Sequence, residues 1–501
     1  MLRAALCSAM LVVGVSLDWL GYESRAAEPR RPNVLFFAVD DLRPDIGCYG
    51  HPEAKTPHLD ALARRGLVFR RAYCQQAVCS PSRTSLLTGL RPDSTKVYDL
   101  VTHFRDTVPD VVALPQHFRN AGYYSVGMGK IYHGGYDDAL SWSEPHRNGT
   151  GEGYVLPENK RRVAEGAAAA AAKSKYAQKK KQNARANGKR GEPFEMADVP
   201  DNAYHDGTLA DMAIAKLQEL KTKDQPFFLA VGFLKPHLPF NAPKQYWDLY
   251  DPAQLRLAAN PFRPHHSFPY TVTDFGELRN YYGVPATGPL SDDMARRLIH
   301  AYRAATSYTD ANVGRVVAEL DRLGLSENTI IVLWGDHGWK LGEHASWCKH
   351  SNMENDTNAP LLIAAPGMRG KGQTTKALVE FVDIYPTLCE LAGLPLPAHL
   401  EGTSMKPLLD DPARTWKAAA FSQYPRSHDG QPLMGYAMRT DRYRFVEWRH
   451  RRTGEPLQHE LYDHETDPAE NENIAGRADQ QALVAQLAEQ LKAGWPAARP
   501  Q

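Results

Sequence analysis

Cysteine is scarce. Six cysteines in 501 residues, one of them inside the N-terminal apolar stretch, are far too few for a disulfide scaffold. Net charge is nearly absent as well, since 59 Lys plus Arg against 58 Asp plus Glu leaves +1. That balance excludes a surface built throughout to hold nucleic acid or an anionic membrane, so any anion recognition must be local. After the first 20 residues no run reaches the roughly 20 apolar residues of a spanning helix, and no internal repeat announces a solenoid. What is present is ordinary for a globular chain: 43% hydrophobic and 23% charged residues, in a length with room for one large core and an appendage.

The N-terminus reads as a targeting segment. Arg3 precedes a mostly apolar stretch from Ala4 to Leu20, and Ser24 and Ala26 have the small-residue spacing of a signal-peptidase site. Residues 1–26 are therefore expected to be a leader cut near Ala26-Ala27, and the protein to be exported to the periplasm or beyond. Asp18 and the shortness of the stretch argue against a stable membrane span. Cys48, Cys74, Cys79, Cys348 and Cys389 remain, an odd number in a compartment where thiols usually pair, so one is expected to have another task.

Four apolar runs of strand length end abruptly in polar residues. They are Val34 to Val39 before Asp40-Asp41, Tyr123 to Met128 before Gly129-Lys130, Phe227 to Leu234 before Lys235-Pro236-His237, and Ile330 to Trp334 before Gly335-Asp336-His337. Such near-continuous runs suit strands buried on both faces. Between them Thr56-Pro57 to Gly66, Thr208 to Lys221 and Ala295 to Leu323 carry helical spacing or helix-end signals. The pattern predicts an α/β fold, a mostly parallel central sheet flanked by helices, with ligands bound off the carboxyl ends of the strands.

Two segments depart from that pattern. Residues 158–193 hold Lys160-Arg161-Arg162, an Ala-rich tract and Lys179-Lys180-Lys181, a basic insertion that is either a solvated surface excursion or a contact for an anionic polymer. After Leu409, Tyr436 to Met438 and Tyr443 to Glu447 look like short strands and Gln480 to Trp495 like an amphipathic helix, a small α+β subdomain over 410–501 that follows a catalytic domain over 28–409.

The sharpest local signal is Cys79-Ser80-Pro81-Ser82-Arg83-Thr84-Ser85-Leu86-Leu87-Thr88-Gly89. Ser80 suits a cap, Pro81 the first helical position and Gly89 the end, which puts Cys79 just ahead of a positive helix N-terminus, with Arg83 one turn on. That is a prepared anion site. Adjacent carboxylates at a strand end, Asp40-Asp41, suit a hard divalent cation, and Asp336-His337 offer a second pair.

The Cys-x-Pro-x-Arg run followed by Thr88-Gly89 resembles the signature of the type I sulfatases of the alkaline phosphatase superfamily. The similarity covers most of the chain, including Thr56 to Ala63 and Glu460 to Glu470, and Gly129 to His133, Gly232 to Phe240 and Asp336 to His344 are most similar to the iduronate-2-sulfatase branch. The resemblance implies an alkaline phosphatase-like fold and hydrolysis of O-sulfate esters of a carbohydrate, a sulfated uronate-containing glycan. It implies that a maturation enzyme oxidises Cys79 to formylglycine, whose gem-diol is the nucleophile and forms a sulfoenzyme intermediate. One calcium ion would be held by Asp40, Asp41, residue 79, Asp336 and His337, the imidazole being the least typical calcium ligand of the set. By the same resemblance Arg83 and Lys130 orient the diol and neutralise sulfate, His133 is the base on the second hydroxyl, and His237 and Lys349 stabilise or protonate the leaving oxygen. Two alternatives stand beside this reading: a phosphonate or phosphate monoester hydrolase of the same superfamily, and an inactive exported protein that binds polyanions through the basic insertion.

Overall fold

The apolar runs that stop at charged residues form strands with no exposed side chain. The computed structural model describes residues 31–177, 191–273 and 276–500; the expected leader at 1–26 and residues 178–190 of the basic insertion lie outside the described residues. In chain order the strands are β1 (Asn33–Val39), β2 (Leu67–Tyr73), β3 (Tyr124–Gly129), β4 (Phe194–Ala197), β5 (Phe227–Phe233), β6 (Phe240–Pro243), β7 (Thr329–Gly335), β8 (Leu361–Ala364), β9 (Gln373–Glu380), β10 (Ala420–His428), β11 (Gln431–Arg439), β12 (Tyr443–His450) and β13 (Pro456–Asp463).

Seven strands make one sheet in the order β3-β5-β1-β7-β8-β2-β9, in which only β8 runs antiparallel to its neighbours. Val34, Phe36 and Ala38 of β1 face a core that includes Leu86, Phe118, Ile384 and Leu388 from helices on one side. Leu35, Phe37 and Val39 face Leu59, Leu217 and Val313 from helices on the other. Burial of each such Leu or Phe stabilises the fold by on the order of 1.5–3 kcal/mol, which is why an all-apolar strand settles at the centre of a doubly covered sheet. The predicted helices are found at Pro57–Ala63, His205–Lys221 and Asp292–Arg322.

The ends of β3 and β5 approach unusually closely. A Cβ on Gly232 would lie 2.2 Å from the Lys130 carbonyl oxygen, and one on Gly129, at φ 70°, would lie 2.2 Å from the Gly232 oxygen. Only glycine permits that approach. It lets the Lys130 amide bond to Gly232 O at 2.8 Å and sets Lys130 beside the end of β1.

One local expectation shifts. The signature helix runs Cys79–Thr88 with Val78 as its extended N-cap, so Cys79 is the first helical residue and Ser80 does not cap it. The reason lies in the Ser82 hydroxyl, which donates to Asp336 O, while the Ser82 amide bonds to Val78 O at 3.1 Å and closes the first turn one residue early. Gly89 ends the helix in the left-handed region, as its type predicts.

The basic insertion begins as a helix, Pro157–Ala177. Lys160, Arg161 and Arg162 pair with Glu152, Glu165 and Glu192 respectively. The C-terminal region is a four-stranded antiparallel sheet, β10-β11-β12-β13, backed by the helix Gln481–Ala497, whose Val484, Leu487 and Leu491 pack on Phe445 and Leu461. The two short strands expected there are the cores of β11 and β12; the partly polar β10 and β13 complete the sheet. No described helix is long and apolar enough to cross a membrane.

This sheet is tied to the central one by buried charge. Lys417, just before β10, reaches Glu380 and Asp383 at 2.8 and 2.7 Å, and the Phe421 amide of β10 donates to Glu380 Oε1 at 2.9 Å, while Arg91 on the central-sheet side forks onto the same Glu380 at 2.7 and 2.9 Å. Its outer strand also holds the long loop before the helix Asp292–Arg322: Glu460 of β13 accepts from the Thr271 hydroxyl, and the His265 amide bonds to Asn471 O at 2.7 Å. Burial, helped by the charge of Glu470, pushes the Glu460 carboxyl from 4.5 up to about 7. A carboxyl raised by folding favours the native state only while protonated, so that contribution is complete below pH 4.5 and is lost as pH rises through about 7. The loss is on the order of 3 kcal/mol. Glu460→Gln is therefore expected to gain stability relative to the parent between pH 5 and pH 8 in urea unfolding; a difference that stays constant with pH contradicts the assignment.

Candidate functional site

The four polar strand ends meet at the N-terminus of the helix Cys79–Thr88. β1 delivers Asp40 and Asp41, both fully buried, and β7 delivers Asp336 and His337, likewise buried. The two strand ends are stitched together: the Asp41 amide donates to Asp336 Oδ1 at 3.0 Å, and the Asp336 amide to Val39 O at 3.2 Å. Asp41 sits at φ 58°, a left-handed conformation that aspartate tolerates better than most side chains and that turns its carboxylate away from that of Asp40. The Tyr302 hydroxyl fixes the turn by donating to Asp41 O at 2.7 Å.

Cys79 is at the centre. Its Sγ lies 3.4 Å from Asp40 Oδ1, 3.4 Å from His337 Nε2 and 3.6 Å from Lys130 Nζ. Burial, with the nearby Asp40 charge, pushes the thiol well above its ordinary value, so the unmodified cysteine is not a ready thiolate. The described thiols of Cys48, Cys74, Cys79, Cys348 and Cys389 are all unpaired.

Arg83 lies beneath the carboxylates. Its Nε donates to Asp336 Oδ2 at 2.9 Å and its Nη2 to Asp40 Oδ1 at 3.2 Å, while Nη1 bonds the carbonyls of Lys130 and Ile131. It therefore braces both acidic strand ends. Lys130 pairs with Asp40 Oδ2. Lys349 covers the other carboxylate, with Nζ 2.9 and 3.1 Å from the two Asp41 oxygens and over the Trp339 ring at 4.9 Å. Burial alone would raise both aspartates; Lys130, His237 and Arg83 hold Asp40 well below the usual range, whereas at Asp41 burial and the Asp40 charge outweigh Lys349 and the carboxyl is raised.

His237 reaches the same side, with Nδ1 donating to Leu238 O at 2.6 Å and Nε2 at 3.8 Å from Asp41 Oδ2. His133 follows Lys130 but is set back: its ring stacks near Tyr136, its buried Nδ1 has no partner, and no hydrogen bond joins it to Cys79 among the described residues. Burial and the Lys130 charge lower its imidazole to about 4, which keeps it neutral.

The site also contains a residue that no motif announces. Glu277 places Oε1 3.0 Å from both His237 Nε2 and Lys349 Nζ. Burial works to raise its carboxyl, but Lys349 and the histidines hold it well below the usual range. Only its position in the folded loop reveals it.

Four carboxylates, Asp40, Asp41, Asp336 and Glu277, thus face three fixed cations, Arg83, Lys130 and Lys349. His237 stands beside them, with its two ring nitrogens against Leu238 O and Glu277 Oε1. The donor set fits a hard divalent cation: ligand atoms of Asp40, Cys79, Asp336 and His337 lie within 4.8 Å of one another, and Asp41, Cys79 and His237 form a second such group. A divalent ion would add positive charge among these carboxylates and make the site attractive to an anionic ester.

Residues 32–394 match the sulfatase family, and 342–495 match the C-terminal part of N-sulphoglucosamine sulphohydrolase. Iduronate 2-sulfatase of Mus musculus is 33% identical over 91% of this chain and 93% of its own length, and that of Homo sapiens 33% over 88% and 90%. Among solved structures, the phosphonate monoester hydrolase from Silicibacter pomeroyi superposes with a TM-score of 0.72 at 26% identity, covering 93% of this chain and 96% of that one. With a family match that spans most of the chain and relatives at this identity along nearly its whole length, the chain belongs to the sulfatase family and is a sulfuric ester hydrolase.

Proposed function

We propose that this sulfatase removes O-sulfate from a carbohydrate, a sulfated uronate-containing glycan, using formylglycine at position 79 and one calcium ion held by Asp40, Asp41, Asp336, His337 and residue 79. The observation that carries the reading is the convergence of a buried Cys79, three aspartates and three fixed cations at one helix N-terminus. The identity to iduronate 2-sulfatases supports a uronate as the sugar. Export through the leader at 1–26 belongs to the same reading. Cys79 is only 2% exposed, which supports its oxidation by a maturation enzyme before the chain closes around it.

Calcium held by Asp40, Asp41, Asp336, His337 and residue 79 would supply positive charge to the sulfate oxygens. The hydrated aldehyde of formylglycine supplies the nucleophilic hydroxyl, and its second hydroxyl lets sulfate leave as the aldehyde reforms. Lys130, 3.6 Å from the residue 79 side chain, holds and neutralises the attacking oxygen. Arg83 keeps Asp40 and Asp336 in place and adds charge beneath the sulfate. His133, which burial and the Lys130 charge keep neutral near pH 7, accepts the proton of the second hydroxyl. His237 and Lys349, on the Asp41 side, serve the leaving oxygen, one by proton donation and the other by charge.

The shared frame of the phosphonate monoester hydrolase keeps that activity as the comparison. Sulfate release from a 2-O-sulfated uronate disaccharide is expected to exceed turnover of a sulfated sugar without uronate and of a phosphonate monoester. Faster turnover of the phosphonate would overturn the reading.

The two-hydroxyl requirement has its own test. Cys79→Ser keeps one hydroxyl but has none left for elimination, so it is expected to release desulfated product in a single burst and to retain a covalent sulfate on the peptide that carries residue 79, seen by mass spectrometry. Sustained turnover without an adduct contradicts the scheme.

A further inference from the structure

We infer that Glu277 is a positioning residue for catalysis, which holds His237 and Lys349 together at the leaving-group oxygen. The inference rests on the roles proposed above for those two residues.

The geometry is a three-point clamp. Glu277 Oε1 sits 3.0 Å from His237 Nε2 and 3.0 Å from Lys349 Nζ, and Oε2 lies 3.5 Å from His350 Nε2. The three partners come from two segments, the turn between β5 and β6 and the loop that carries Trp347 to His350; Asp41 is also near both, but at 3.8 Å from His237 Nε2 it is beyond hydrogen-bond reach of the imidazole, so Glu277 is the carboxylate in hydrogen-bond range of both. His237 is otherwise anchored through Nδ1 to Leu238 O, a contact that leaves the Nε2 end of the ring to be aimed by what it meets. Lys349 otherwise meets only the Asp41 oxygens and the face of Trp339.

Without Glu277, Asp41 would be the sole carboxylate partner of Lys349. The ammonium would settle fully on Asp41, away from the leaving oxygen and against a carboxylate that the bound cation needs. With Glu277 present, the ammonium is shared between two acidic groups on opposite sides and held between them. A long lysine that has up to about 2 kcal/mol of rotamer entropy to lose is thus ordered before substrate arrives.

Glu277 neither forms nor breaks a covalent bond. As the sulfur–oxygen bond of the ester breaks and sulfur bonds to the hydroxyl oxygen of residue 79, the electron pair stays on the alcohol oxygen; that oxygen takes a proton from Lys349, whose ammonium has a third N–H beyond those that face Asp41 and Glu277, with His237 held beside it, and solvent returns the proton to Lys349. A carboxylate in contact with both donors sets their distance from that oxygen.

The need for such help depends on the leaving group. A nitrophenolate departs without a proton, whereas a sugar alkoxide does not. In the matured, calcium-loaded protein, Glu277→Gln is expected to lower kcat on a sulfated disaccharide by about 100-fold and on nitrophenyl sulfate by less than about 5-fold, with KM changed by less than about 3-fold for either. Glu277→Asp, which retains the charge, should recover part of the loss on the disaccharide, and it reports the same split if the glutamine variant does not fold. Equal losses on both esters, a rise in KM at constant kcat, or no loss would each overturn the inference. Failure of the matured parent protein to turn over either ester would instead overturn the proposed function, and this inference with it.

Discussion

The arrangement depends on like charges brought together. Asp40, Asp41 and Asp336 are fully buried and Glu277 lies at their edge, and the four carboxylates are held by Arg83, Lys130 and Lys349. Removal of one partner from such a buried set costs about 3–5 kcal/mol, because the group left behind keeps its desolvation penalty. Much of the surrounding structure serves to hold like charges together: the amide of Asp41 turned onto Asp336, the left-handed turn at Asp41, and the guanidinium of Arg83 wedged beneath both strand ends. A site strained in this way is poised for a divalent cation and then for an anion.

The C-terminal sheet takes part in this arrangement. Its seam with the central sheet is made of buried ion pairs around Glu380 and Asp383, and a second cluster joins Arg444 to Glu354 and Glu470. Such contacts are directional, so they fix orientation in a way that apolar packing does not. The same sheet also holds the loop residues Thr271 and His265.

Much of this was legible in the sequence for a definite physical reason. Strands buried on both faces must be apolar throughout, so β1, β3, β5 and β7 stand out, and the polar residues that end them mark the carboxyl edge where ligands bind. Cys79, Asp40, Asp41, Asp336, His337, Arg83, Lys130, His237 and Lys349 are brought together as that edge requires. The antiparallel β8 is apolar and buried throughout but, at four residues, too short to stand out, and the partly polar β10 and β13 lack the signal because edge position and one-sided burial relax the pattern. The helix start at Cys79 was displaced by a tertiary bond from Ser82 to Asp336. Glu277 was invisible for a deeper reason: it acts through contacts with residues far away in the chain, and a glutamate in an irregular loop has no spacing to read.

A divalent cation held by Asp40, Asp41, Asp336, His337 and residue 79 should be seen in calcium binding to the purified protein. Isothermal titration of metal-stripped protein should show one calcium site per chain, and at a hundredfold excess over Kd the ion should raise the unfolding free energy by about 2.7 kcal/mol. Asp40→Asn combined with Asp336→Asn should abolish both effects. No measurable calcium binding, with the same unfolding curve in calcium and in chelator, would contradict the account.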